Sequence, residues 1–282
     1  MTTELDVNGI IRELVDQGCL HQDSKLKEQM NGTTEGRVYV IEVAGEPRYV
    51  LKAEDPQYLA EVGQFHEAYA ESPLIPKLHY LAPDRSFIVY AFVEGSIGEV
   101  REPKKEWMKQ LTADLLNHYQ AVELSGHTYS PEAWRNTIVE GLHFAKNEIG
   151  DRLPDADFEL VKSFAEGYSK RIHGRVVLIH GDCGVHNFVF RDRKMLGVID
   201  PNPQLGPLLY DFMYAFVSSP DDLNLDTLLP ALQLLKDEPL EQPALIREVM
   251  IRLYHRIGIC LLYHPHDLDE YLRAWMYWKA LV

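Results

Sequence analysis

The sequence predicts an α+β protein of two lobes, a small N-terminal lobe with an antiparallel sheet plus a helix and a larger, mainly helical C-terminal lobe. Two patterns carry that expectation. From Lys25 to Ala53, apolar runs are cut by Asn31, Gly32, Gly36, Gly45 and Pro47, which reads as three strands joined by turns. From Lys104 onward apolar residues recur mainly at helical spacing. A chain of 282 residues is long enough for both lobes and a substantial core. The boundary falls near Gly95 and Ser96, giving lobes of residues 1–95 and 96–282. No repeat or low-complexity linker separates them, so they are expected to be parts of one unit and not independent beads.

Along the chain, the first element is a helix from about Val7 to Gln17. The third strand covers Tyr49–Lys52 and ends in a lysine. A second helix begins near Pro56, a favoured first-turn residue, behind the cap Asp55. Its apolar stripe is Tyr58, Val62, Phe65 and Tyr69. At about 100° per residue, Glu61 falls within that stripe and Glu67 opposite it. A carboxylate on a buried face calls for a partner, so Glu61 is expected to pair with Lys52 while Glu67 stays in solvent.

Phe87–Val93 reads as a strand ending in Glu94 and Gly95. Helices are predicted over Lys104–Val122, Pro131–Ile149, Asp155–Arg171, Leu208–Val217, Pro243–Tyr263 and Leu268–Leu281. Within the second lobe, Phe188–Phe190 and Met195–Ile199 are short strands turned by Asp192, Arg193 and Lys194 into a hairpin. Trp275 and Trp278, three apart, fit a packed helix face better than a pocket wall.

Composition excludes several classes. The formal net charge of −15 argues against a nucleic-acid partner, which would require a basic footprint. The same acidity favours a cationic small molecule, though a solvated surface explains it more simply. Neither a basic segment leading into an apolar run nor about eighteen consecutive apolar residues occurs, so no membrane partner is expected and cytoplasmic residence is the default. Cys19, Cys183 and Cys260 are few, odd in number and far apart, a pattern unlike a disulfide framework.

The chemistry is concentrated in HGDCGVHN, His180–Asn187, and in LGVIDPNP, which contains Asp200. Asp182, four residues and Asn187 reproduce the phosphoryl-transfer loop in which an Asp orients a hydroxyl and an Asn holds Mg²⁺, with a second metal-binding Asp further on. Asp200 follows a strand-like run, and the hairpin is expected to bring Asn187 and Asp200 together. One amide and one carboxylate, completed by water and phosphate, suit Mg²⁺. A zinc site from His180, Asp182, Cys183 and His186 lacks the two separated ligand pairs that structural zinc favours. A Cys183–His186 nucleophile pair is disfavoured because such partners usually lie far apart in sequence.

The pattern HGDxxxxN followed by IDxxxxxGxxxxD, here His180, Gly181, Asp182, Asn187, Ile199, Asp200, Gly206 and Asp211, resembles the aminoglycoside phosphotransferase and choline kinase family. That resemblance implies a bilobal protein-kinase-like fold, Asp182 as catalytic base, Asn187 and Asp200 as Mg²⁺ ligands, and Asp211 as a brace for the catalytic loop. Cys183 and Gly184 depart from family forms in which a Leu and a polar residue are frequent. The turn NGTTEGRVYV places Gly32 and Gly36 where backbone N–H groups approach phosphates. Lys52 takes the place of the strand lysine that contacts the α and β phosphates. The stretch Ile88–Gly95 matches the hinge that binds adenine through its backbone, with Tyr90, Ala91, Phe92 and Val93 around the adenine pocket.

These residues together predict an ATP- and Mg²⁺-dependent phosphotransferase acting on a hydroxylated small molecule, with nucleotide and acceptor meeting in the cleft between lobes. An aminoglycoside-like or other cationic acceptor ranks first. The rivals are a non-catalytic nucleotide-binding regulator and a protein kinase, the latter disfavoured because Asp200-Pro201-Asn202 replaces DFG and no APE-like segment follows.

Overall fold

The structure is a computed structural model and describes residues 6–30, 37–97, 101–122, 128–167, 175–236 and 241–282. Its elements in chain order are α1 (Val7–Asp16), β1 (Ser24–Met30), β2 (Arg37–Val43), β3 (Glu46–Ala53), α2 (Pro56–Ala68), β4 (Leu78–Leu81), β5 (Phe87–Ala91), α3 (Lys104–Asp114), α4 (Pro131–Ile149), α5 (Asp155–Glu166) and β6 (Val176–Ile179). There follow β7 (Phe188–Arg191), β8 (Lys194–Val198), β9 (Gln204–Pro207), α6 (Leu208–Val217), α7 (Leu225–Leu232), α8 (Gln242–Tyr263) and α9 (Leu268–Lys279). The chain forms two compact units, one of Met1–Val100 with Phe188–Pro203 and one of Arg101–Asn187 with Gln204–Val282.

The first unit is built on a five-stranded antiparallel sheet in the order β1-β2-β3-β5-β4. Side chains alternate across it, as a strand period of two requires. Ile41, Leu51 and Val89 pack with Val7, Ile11 and Leu14 of α1 on one face. Val50, Ile88 and Tyr90 pack with Leu59 and Val62 of α2 on the other. Asp55 caps α2 by accepting from the N–H groups of Gln57 and Tyr58, with Pro56 at the first turn.

The β7–β8 hairpin completes this unit. Asp192 and Arg193 both take positive φ, 51° and 70°, the signature of a two-residue turn that matches strand twist. Its strand end meets the chain after β5, where Ser96 exchanges backbone hydrogen bonds with Phe190. Gly95 has φ +141°, and a Cβ there would collide with the Phe190 carbonyl. Glycine is therefore the residue this approach requires.

The second unit is mainly helical, with β6 and β9 paired antiparallel. α4 and α8 lie against each other, and α9 covers α8. Trp275 and Trp278 are fully buried, their indole N–H groups donating to Asp157 Oδ2 at 2.8 Å and the Leu223 carbonyl at 2.9 Å. The α6 C-terminus exposes carbonyls that the helix cannot satisfy itself. Lys104 Nζ bonds Phe216 and Ser219 oxygens at 3.1 and 2.7 Å, Tyr271 bonds that of Val217 and Arg256 that of Ser218. Arg256 is a cation, the favourable sign at that helix end, whereas burial holds the Lys104 ammonium down at about 7.

Two expectations change. α3 ends at Asp114 instead of Val122, followed by a 3₁₀ turn, Leu116–His118. The break places the Tyr119 hydroxyl on Asp211. β4, β6, β9 and α7 were not predicted: the strands have four residues each, β9 contains Gly206 and Pro207, and α7 contains Pro230. No described helix is long and apolar enough to cross a membrane.

Candidate active site

In the second unit, β6 delivers the chain into His180–Asn187. Asp211, fully buried on the first turn of α6, holds this loop from beneath. Its Oδ2 accepts from the His180 N–H and the Tyr119 hydroxyl, both at 2.7 Å, and its Oδ1 accepts from the Gly181 N–H at 3.1 Å. Burial pushes this carboxyl upward, and the three donors oppose that push. The bracing role implied by the resemblance is thus a set of hydrogen bonds.

Asp182 is held from three sides. Tyr214 Oη donates to Oδ1 at 2.7 Å, the His186 Nε2–H donates at 3.0 Å, and Asn187 Nδ2 donates to Oδ2 at 3.0 Å and to the Asp182 carbonyl at 2.9 Å. Burial alone would raise this carboxyl, but the His186 hydrogen bond and charge and the Tyr214 hydroxyl outweigh it and hold it down at about 2. Asp182 is therefore an ionised acceptor at neutral pH. With Asn187 Nδ2 spent on Asp182, its Oδ1 is the atom left to face a cation.

Gly184 explains one departure noted in the sequence. A Cβ there would lie 2.7 Å from the His186 ring and 2.9 Å from the Tyr214 ring, so any side chain would push apart two groups that hold Asp182. Cys183 is fully buried, which pushes its thiol well up and leaves it unsuited to act as a nucleophile.

In the first unit, Lys52 reaches Asp200 Oδ1 at 2.6 Å and Glu54 Oε2 at 3.0 Å. It also donates to Tyr58 Oη at 3.1 Å, and that hydroxyl donates to the Pro201 carbonyl at 2.8 Å. Burial disfavours the Lys52 ammonium, yet the Asp200 carboxylate beside it more than compensates and the pKa is raised. Asp200 itself sits at φ +56°, a left-handed conformation unusual outside glycine and characteristic of functional turns.

The structure brings Lys52 to Glu54 and Asp200, and not to Glu61 as the helical periodicity suggested. Glu54 lies two residues along the chain, and Tyr58 of the first turn of α2 takes the lysine before Glu61 is reached. Glu61 is half-buried and accepts from Gln57 at 3.5 Å, while Glu67 is exposed. Gly32 and Gly36 lie outside the described residues. Tyr90 is buried beneath α2, stacked on His66 with ring centroids 5.3 Å apart. The N–H groups of Ala91 and Phe92 are spent on the Lys77 and Arg48 carbonyls.

The second unit also contains a cavity of about 510 Å³. Its walls include Trp134 of α4, Tyr210 and Tyr214 of α6, and Arg252, His255 and Arg256 of α8. Because Tyr214 also bonds Asp182, the cavity adjoins the loop. Sequence reading found neither Tyr214 nor this lining; the only available signal was the helical period of α6, which places residues 210 and 214 one turn apart.

The sequence profile described as the phosphotransferase enzyme family matches residues 28–241. Among curated proteins, no sequence matches the chain. Solved structures similar in fold include the ADP-bound aminoglycoside phosphotransferase APH(2'')-Ib, at 17% identity and TM-score 0.56, covering 96% of this chain and 98% of that one. A macrolide 2'-phosphotransferase from Brachybacterium faecium has 16% identity and TM-score 0.60, covering 95% and 96%. A choline kinase from Streptococcus pneumoniae has 14% identity and TM-score 0.58, covering 98% and 100%. With the profile spanning most of the chain and the Asp182 and Asp200 motifs within the matched span, this chain belongs to the phosphotransferase enzyme family.

Proposed function

We propose that this phosphotransferase moves the γ-phosphate of ATP to a hydroxyl of a small molecule, with Asp182 as the residue that meets that hydroxyl. The observation that carries the reading is the anchoring of Asp182 by Tyr214, His186 and Asn187 on a loop braced by Asp211. An ionised, preoriented carboxylate can accept the acceptor's O–H hydrogen bond and fix the oxygen for in-line attack.

In the transfer, the acceptor oxygen forms a bond to the γ-phosphorus while the bond to the β,γ-bridging oxygen breaks and ADP leaves. The hydroxyl proton passes to Asp182. A carboxyl held at about 2 is a weak base, so orientation contributes more than proton abstraction, as expected where bond formation lags behind leaving-group departure.

Lys52 would meet the nucleotide phosphates, with Tyr58 and Asp200 fixing its ammonium. Asn187 and Asp200 each offer an oxygen donor of the kind that suits Mg²⁺. When bound, Mg²⁺ supplies charge that neutralises phosphate oxygens. Val93 is the hinge residue best suited to adenine, because among the described residues its backbone N–H has no partner whereas those of Ala91 and Phe92 do.

The test is formation of ADP from ATP or GDP from GTP with a panel of hydroxylated acceptors, comparing wild type with Asp182→Asn and Asp200→Asn. Full activity in either variant rejects the assignment. Nucleotide binding without turnover on any acceptor favours a regulatory role, and phosphate on protein side chains favours a protein kinase.

A further inference from the structure

Arg252 carries a charge into the wall of the second unit's cavity that nothing offsets among the described residues. Its side chain is buried, the residue being 8% exposed, and neither Nε nor Nη2 finds an acceptor there. Its guanidinium lies over the Tyr210 ring, 4.4 Å from the centroid. An aromatic face attracts a cation but does not satisfy N–H donors, and an uncompensated buried guanidinium is costly to a fold. The flanking α8 residues Ile251 and Leu253 are ordinary buried aliphatics.

The rest of the lining points the same way. Trp134 Nε1 is a second buried donor without an acceptor among the described residues. Arg256 is bonded to the Ser218 carbonyl and the Tyr271 hydroxyl, neither of which cancels its charge. Burial, then the two arginines, holds His255 down at about 4, so it is neutral at pH 7. The one acid in the lining is Glu140, which is exposed. The cavity wall therefore carries two arginines against one exposed carboxylate, and its buried donors on Arg252 and Trp134 have no acceptor among the described residues, in contrast to the acidic chain around it.

Tyr210 and Tyr214 set the geometry. They stand one turn apart on α6, with Asp182 bonded to Tyr214 and Arg252 stacked on Tyr210. Trp134 closes on Tyr210 edge-on, with centroids 5.1 Å apart. We propose that the acceptor bears an anionic group, a carboxylate or a phosphate ester, seated on Arg252 and the Trp134 N–H. Its hydroxyl is presented at Asp182, and its apolar or aromatic body lies along the two tyrosines. The hydroxyl end of this inference rests on the phosphotransferase reading; the anion end rests on the cavity alone. The net charge of −15 does not oppose it, since exposed charges are screened beyond about 8 Å at physiological salt.

The pair 4-(hydroxymethyl)benzoate and 4-(hydroxymethyl)benzylamine shares one alcohol and one ring and differs in charge. Binding to the full chain is read by thermal shift and by tryptophan fluorescence, and transfer by ADP release with ATP. Glycerol 3-phosphate forms the second anionic arm and distinguishes a phosphate from a carboxylate site. The benzoate or the glycerol 3-phosphate is expected to bind at least about tenfold more tightly than the benzylamine. Arg252→Gln should weaken that binding by about tenfold or more while raising the melting temperature of the ligand-free protein, an outcome a merely structural arginine would not produce.

Tighter binding of the benzylamine, anion binding unchanged in Arg252→Gln, or no binding by either anion overturns the proposal. The comparison of ligands on wild type stands even if the variant does not fold. Transfer to the amine alone, abolished by Asp182→Asn, removes the anionic acceptor and keeps the phosphotransferase. Anion binding lost in Arg252→Gln, without ADP release from any acceptor, keeps the anion site and removes the phosphotransferase reading.

Discussion

Tyr214 donates a 2.7 Å hydrogen bond to Asp182 Oδ1 while the same ring forms part of the cavity wall. One side chain thus ties the carboxylate proposed to meet a hydroxyl to the cavity wall against which the rest of that molecule would lie.

Tyr214→Phe keeps the wall and deletes the bond. Hydrogen bonds to charged groups are worth about 1.5–3 kcal/mol, so kcat should fall about ten- to a hundredfold, with KM for the acceptor nearly unchanged. Steady-state kinetics on the best acceptor check this, and an unchanged kcat would show that the hydroxyl has no part in holding Asp182.

Asp211→Asn should cost stability before it costs chemistry. The amide places an NH₂ against donors that now meet a carboxylate, two of them backbone N–H groups. A loss of about 3 kcal/mol is expected, measured as a lower urea midpoint with the same m-value.

Lys52→Met should weaken ATP binding by at least about tenfold, read by calorimetry. It also leaves Glu54 and Asp200 without the cation that separates them, so the melting temperature should fall. Retained affinity would place the phosphates elsewhere.

His66 sets an acid limit. It is buried, its Nδ1 lies 2.9 Å from the Pro76 carbonyl, and burial holds its pKa down at about 4, against the usual 6.5. The unfolded chain therefore binds a proton that the folded chain refuses between those values. Stability should be full above pH 6.5, fall as the pH drops towards 4, and level off below. The imidazole accounts for on the order of 3 kcal/mol of that fall. His66→Gln should flatten the curve of unfolding free energy against pH over this window.

Local signals were readable. The spans Pro131–Ile149 and Leu208–Val217, the Asp55 cap and the Asp192–Arg193 turn follow from periodicity and capping chemistry, and the structure has each of them. The loop motif also singled out Asp182 and Asp211, and Asp211 does accept from the two N–H groups just before Asp182, because fixed offsets within one short segment survive without knowledge of packing. What packing decides was hidden. Lys52 chose Asp200, 148 residues away, over a glutamate on the next helix. Tyr214, Arg252 and Trp134 come from three separate helices and share no spacing. Net charge was a poor guide to the cavity, since surface carboxylates dominate the total while two arginines line the interior.

The first unit draws its last hairpin from residues 188–203, long after its sheet has been written. Ser96, Gly95 and Val93 all rest against that hairpin. During synthesis, then, the first unit waits unfinished until some two hundred residues have left the ribosome. A gene fragment ending at the apparent boundary would encode the five-stranded sheet without the hairpin that its unit takes from residues 188–203.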